Sequence, residues 1–120
     1  MVDAVFFKGR DINPWGVYVE AGDLVEGRTY FAVHYLDKDL MIPELKPFVF
    51  IGRNLVHNDQ ATLYFQDAAS YAAGSRWEND VNADGGEVHT VTEGTPFVYE
   101  FEQALDRLLY CSLLRWKAGI

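Results

Sequence analysis

Thr95-Pro96-Phe97-Val98-Tyr99-Glu100-Phe101-Glu102-Gln103-Ala104-Leu105-Asp106-Arg107-Leu108-Leu109-Tyr110-Cys111-Ser112-Leu113-Leu114-Arg115-Trp116-Lys117-Ala118-Gly119 decides how the remainder of this chain must fold. Thr95 carries the oxygen of a helix N-cap and Pro96 suits the first helical position. Glu100 and Glu102 lie toward the positive end of the helix dipole, Arg115 and Lys117 toward its negative end, and Gly119 supplies the stop. The stretch therefore reads as a long C-terminal helix. On a helical wheel of about 100° per residue, Phe97, Val98, Phe101, Ala104, Leu105, Leu108, Leu109, Cys111 and Trp116 share one broad face, with Glu102, Gln103, Asp106 and Arg107 opposite. The broad face is expected to cover a sheet.

Tyr110, Leu113 and Leu114 break that division, because they enter the sector that is polar in the first half of the helix. A helix end that is apolar nearly all round is covered by its own chain or meets a second molecule. Cover by the N-terminal strand or its loop is the commoner outcome. For the partner reading, the nominated interface is Tyr110, Leu113, Leu114 and Trp116, joined by the loop tryptophan Trp77, since tryptophan buries a large area at little rotamer cost. The other loop tryptophan, Trp15, reads as a lid over its own core.

Upstream of the helix the sequence is rich in short strands. Residues 28–36 are dense in β-branched and aromatic side chains, with Phe31, Val33 and Tyr35 on one pleat face. Asp37-Lys38-Asp39 supplies turn chemistry, Leu40-Met41-Ile42 suggests a short strand limited by Pro43, and Phe48-Val49-Phe50-Ile51 a further buried one ending at Gly52. Residues 61–66 and 87–92 alternate likewise, and weaker strands are expected at Val5-Phe6-Phe7 and Val17-Tyr18-Val19-Glu20, the latter after the turn Asn13-Pro14-Trp15-Gly16. Asp67 and Gly74 bracket a helical turn as N-cap and C′ residues. Residues 75–86 are polar and glycine-bearing, and read as an exposed loop.

The implied fold class is α+β: a strongly curved antiparallel sheet of five to seven strands with the long C-terminal helix packed across it. In element order alone, the strands from about residue 17 to residue 66 followed by a helix resemble a small SH3-like barrel, over about half the chain. That resemblance assigns no functional residue. At 120 residues a single domain is expected, large enough for a core without disulfides, and the lone Cys111 fits a reducing, cytoplasmic setting. The N-terminus lacks the charge order of a secretory signal, and no window approaches the roughly 18 apolar residues of a membrane span. A net charge of −8 disfavours nucleic acid and anionic lipid and suits a protein partner, a basic one or a second copy of the chain.

Motifs that carry chemistry are sparse. Asp80-Val81-Asn82-Ala83-Asp84-Gly85 matches the first half of a calcium loop, but Val91 stands where the bidentate glutamate belongs, so Asp80, Asn82 and Asp84 are only a weak metal candidate. His34, His57 and His89 show no zinc spacing, and Cys111 lies on the apolar helix face far from the positive helix end. No catalytic residue and no cofactor is assigned. The alternative to an interaction module is a small-molecule binder or enzyme whose pocket lies between sheet and helix. It would be lined by Tyr30, Phe50 and Tyr64, with His34 or His89 as the polar group.

Overall fold

The computed structural model describes residues 4–5, 9–76 and 88–120. In chain order the elements are strands β1 (Thr29–Tyr35), β2 (Pro43–Arg53) and β3 (Thr62–Asp67), helical turn α1 (Ala68–Ala72), strand β4 (Val88–Thr92) and helix α2 (Phe101–Lys117). The strands form one antiparallel meander in the order β1-β2-β3-β4. The α+β class holds. The count of five to seven strands and the barrel do not: among the described residues the sheet has four strands, and it is neither closed nor strongly curled. Of the two weaker strands, Val17-Tyr18-Val19-Glu20 makes a single bridge, from Tyr18 to Tyr99, and Phe6 and Phe7 lie outside the described residues.

The register explains how β2 runs through two prolines. Phe31 directs its backbone N–H and C=O away from β2, to Tyr99, at 2.9 and 2.7 Å. Its cross-strand partner Pro47 therefore occupies a position where the β1–β2 ladder needs no donor, and β2 begins pairing with β3 only at Phe48. Pro43, opposite Tyr35, falls on the same alternation. Leu40-Met41-Ile42 forms no strand; the Asp37 carboxylate instead accepts the backbone N–H groups of Met41 and Ile42 in a side-chain-closed turn. At the end of β3, Asp67 caps α1 by accepting the Ser70 N–H, and Gly74 follows at φ 98°, as its spacing implied.

Alternation along the strands gives the sheet two faces. Tyr30, Ala32, Phe48, Phe50, Leu63 and Phe65 form the main core on one of them. Leu24 and Val98 complete that core, with Val19, Ala21 and Phe97 packed against it, so loop segments seal it in place of α2. Phe97 sets its ring 5.2 Å from Phe48 and 5.1 Å from Phe65. On the other face, Val33 with Phe31 and Tyr35 meets Ala104, Leu108 and Tyr99, so α2 lies principally against β1, at one side of the sheet and not across it.

The helix also starts later than its capping pattern implies, at Phe101 with Glu100 as N-cap. Residues 97–99 are recruited by longer-range bonds. Tyr99 exchanges both backbone hydrogen bonds with Phe31, and Val98 C=O accepts the Val19 N–H at 2.9 Å. Three ladder bonds and two buried side chains outweigh what one more helical turn would supply. No helix among the described residues is long and apolar enough to cross a membrane.

Candidate functional site

The surroundings of α2 are set by an N-terminal arm lying more than eighty positions away in sequence. Asn13-Pro14-Trp15-Gly16 forms a turn closed by Gly16 N–H to Asn13 C=O at 2.9 Å, with Pro14 presetting its second position. Gly16 sits at φ 64°, where a Cβ would stand 2.8 Å from the Tyr99 ring and 3.2 Å from the α2 backbone. Only glycine lets the arm approach this closely. Asp106 is 2% exposed and receives Arg10 Nη2 at 2.6 Å and the Asn13 N–H at 3.1 Å. Arg107 donates to the Pro14 carbonyl at 3.0 Å, its guanidinium held between the rings of Trp15 and Tyr35 at 5.3 and 5.1 Å. Gln103 accepts the Val17 N–H at 2.9 Å, and Trp15 packs its ring 6.0 Å from that of Tyr110.

This arrangement turns the helix away from the orientation its wheel implies. Asp106 and Arg107, assigned to solvent, are buried under the arm, and part of the broad apolar face points outward. Phe101 is 54% exposed, Leu109 40%, Leu113 40% and Trp116 78%, with Leu105 half-buried among them. The four leading members, Phe101, Leu105, Leu109 and Leu113, are spaced by four and so lie along one ridge of the helix. Of the nominated interface, Leu113 and Trp116 belong to this stripe. Tyr110 and Leu114 are half-buried, Tyr110 beside Trp15, and Trp77 lies outside the described residues. The stripe's members Phe101, Leu105 and Leu109 were assigned inward because the wheel counts apolar residues without knowing that Arg10 and the Asn13 backbone N–H await Asp106. The one signal for it was an Asp106-Arg107 pair at the middle of the helix, where neither charge serves the dipole.

The residues nominated for a pocket do not converge. Tyr30 and Phe50 are fully buried on one sheet face, while Tyr64, adjacent to Phe65, faces the other side. His34 is exposed on β1, and His89 stands edge-on to Phe48 at 4.9 Å. Two described cavities lie elsewhere. One of about 300 Å³ has Leu55, Gln66, Tyr71 and Arg76 in its lining; another of about 460 Å³ has Tyr18, Glu20, Leu63 and Glu93. Gln66 is fully buried, donates to Ser70 Oγ and the Ser75 carbonyl, and leaves Oε1 without a partner among the described residues.

Burial, and then a hydrogen bond to Asp59, pushes the Tyr64 phenol up to about 12. Burial likewise raises Tyr99, stacked on Tyr18 with ring centroids 4.3 Å apart, and Tyr35, whose hydroxyl donates to the Arg107 carbonyl. These phenols are structural donors at neutral pH. Cys111 is buried, where a thiol behaves as a small hydrophobe. No group of three or more His, Cys, Asp or Glu among the described residues is placed to hold a metal, and Asp80, Asn82 and Asp84 lie outside those residues. Compared with protein families, with curated proteins and with solved structures, the chain matches none.

Proposed function

We propose that this chain is a non-enzymatic protein-interaction module whose binding surface is the outward stripe of α2, Phe101, Leu105, Leu109, Leu113 and Trp116. The observation that carries the reading is an inversion: one helix buries a carboxylate and a guanidinium while leaving tryptophan, two leucines and a phenylalanine, the last edge-on to Phe31 at 5.4 Å, partly exposed to water. Single exposed apolar side chains need no explanation. A contiguous row of them on one helix ridge does, because it leaves on the order of 10 kcal/mol of burial unrealised at about 25 cal/mol per Å². Tryptophan and phenylalanine are also the side chains that dominate interface energies.

Charge supports the same reading. Around the stripe an acidic surface, −8 over the chain, repels unrelated acidic proteins and narrows the choice of partner. Arg10, Asp106 and Arg107 are spent on one another and on the arm, so they position the helix and are not offered to a ligand. The test is Leu109→Asp/Trp116→Asp against wild type, in light scattering and in affinity capture from the native cell extract. Loss of a partner or of self-association in a variant with unchanged circular dichroism is expected. A folded variant with the wild-type mass and the wild-type captured set would overturn the reading.

A further inference from the structure

We infer that the occupant of the α2 stripe is a second copy of this chain, docked by an antiparallel, two-fold symmetric pairing of the helices about Leu109. The inference rests on the interaction reading above and names its partner. In a symmetric pair of this kind, residues equally distant from the axis face one another. With the axis at Leu109, Leu105 meets the partner's Leu113, Phe101 meets the stem of the partner's Lys117, and Glu102 meets the partner's Trp116. Every apolar side chain on the stripe then faces another apolar group or an aliphatic stem. Glu102, in the first turn, then lies one residue from the register position of the partner's Lys117, in the last turn.

That complementarity comes from the helix's own polarity. Glu102 occupies the first turn and Lys117 the last, where each suits the macrodipole, so antiparallel pairing brings opposite charges together at both ends. A parallel pair would set Glu102 against Glu102 and Lys117 against Lys117. Glu102 Oε2 accepts from Arg10 Nη2 at 3.2 Å and the side chain is 64% exposed, which leaves room for the partner's lysine. Within the patch the protomer is neutral, although the chain carries −8. Two copies meeting on this surface therefore bring no net charge into the contact itself.

Size sets the strength. Seventeen residues span about 25 Å, and a shallow crossing near 20° keeps both ends of such helices in reach of each other. Two aromatic and three leucine side chains offer on the order of 500 Å² per protomer, so a pair buries about 1,000 Å². That lies at the lower edge of specific interfaces and fits a reversible, concentration-dependent dimer.

The experiment is sedimentation equilibrium of wild type and Leu109→Asp, joined to disulfide trapping of Leu109→Cys and Glu102→Cys, each in a Cys111→Ala background. Expected are a wild-type monomer–dimer equilibrium, weakening by at least about thirtyfold in Leu109→Asp, and oxidative cross-linking at position 109 alone. The two copies of position 102 would stand about 21 Å apart along the axis, beyond disulfide reach. If the background variant fails to fold, native Cys111, buried and unreactive, serves as the uncross-linked control. A wild type that stays monomeric at millimolar concentration, a dimer indifferent to Leu109→Asp, or cross-linking at 102 as readily as at 109 would each overturn the inference. A monomeric wild type that loses a captured protein on Leu109→Asp would sink self-pairing and leave the interaction reading intact; unchanged mass together with unchanged capture would sink both.

Discussion

A carboxylate taken out of water must be met by donors, and Asp106 is met by the Arg10 guanidinium and the Asn13 backbone N–H. Removing it leaves Arg10 only its exposed contacts to Glu102 and the Asn13 N–H without an acceptor, so Asp106→Ala is expected to cost about 3 kcal/mol in urea unfolding and to expose residues 9–17 to protease in the native state. Unchanged cleavage there would show that other contacts hold the arm. A second residue-level consequence concerns alkaline pH. The Tyr64 phenol titrates at about 12 in the folded chain against 10.0 for an ordinary tyrosine. Between those values the unfolded chain gives up a proton that the folded chain retains, so the contribution is complete below pH 10 and lost as pH rises toward 12. Tyr35 is shifted in the same direction by burial. Measured as denaturation midpoint against pH, Tyr64→Phe should flatten part of the decline above pH 10. An identical slope in the variant would remove Tyr64 as its source.

For individual elements, pattern predicts best where the environment is local. β1, β3, β4 and α1 were legible within a residue or two, because strand alternation and the Asp67…Gly74 caps are set by immediate neighbours. β2 was truncated because proline was weighed without the register that makes Pro43 and Pro47 harmless. The rotation of α2 was hidden for a related reason. Its polar side is satisfied by residues 10–17, and its expected first turn is drawn off by Phe31, and neither contact leaves a mark in helical periodicity. The exposed stripe was half-legible: Leu113 and Trp116 stand out as surplus apolar residues, whereas Leu109 looks like core until the arm is in place. This assigns opposite fates to two residues that share a wheel face. Phe97→Ala should cost about 3 kcal/mol, as core phenylalanines do, while Leu109→Gln should alter monomer stability by less than about 0.5 kcal/mol. Urea midpoints taken at low protein concentration, where self-association adds nothing, measure both. Equal losses would mean that α2 meets the sheet through the face its periodicity suggests.

In the molecule as a whole, a neutral apolar stripe is set in a strongly acidic body, and the two respond to salt in opposite ways. Each protomer brings −8 to a pair, a repulsion acting over many ångströms that falls once the Debye length drops to about 10 Å near 0.1 M salt. The Glu102–Lys117 contacts at the rim are also screened, but exposed pairs of that kind contribute at most about 1 kcal/mol, and the apolar contact is insensitive to simple salt at these concentrations. Repulsion is the larger of the two screened terms. Self-association should therefore tighten between about 0.02 and 0.3 M sodium chloride, read as a falling dissociation constant in sedimentation, and Glu102→Gln should change that trend little. An acidic protein held together by charge pairs would instead dissociate as salt rises. That opposite slope would mean that attraction lies with ionised groups elsewhere on the surface and that Leu109 is a bystander.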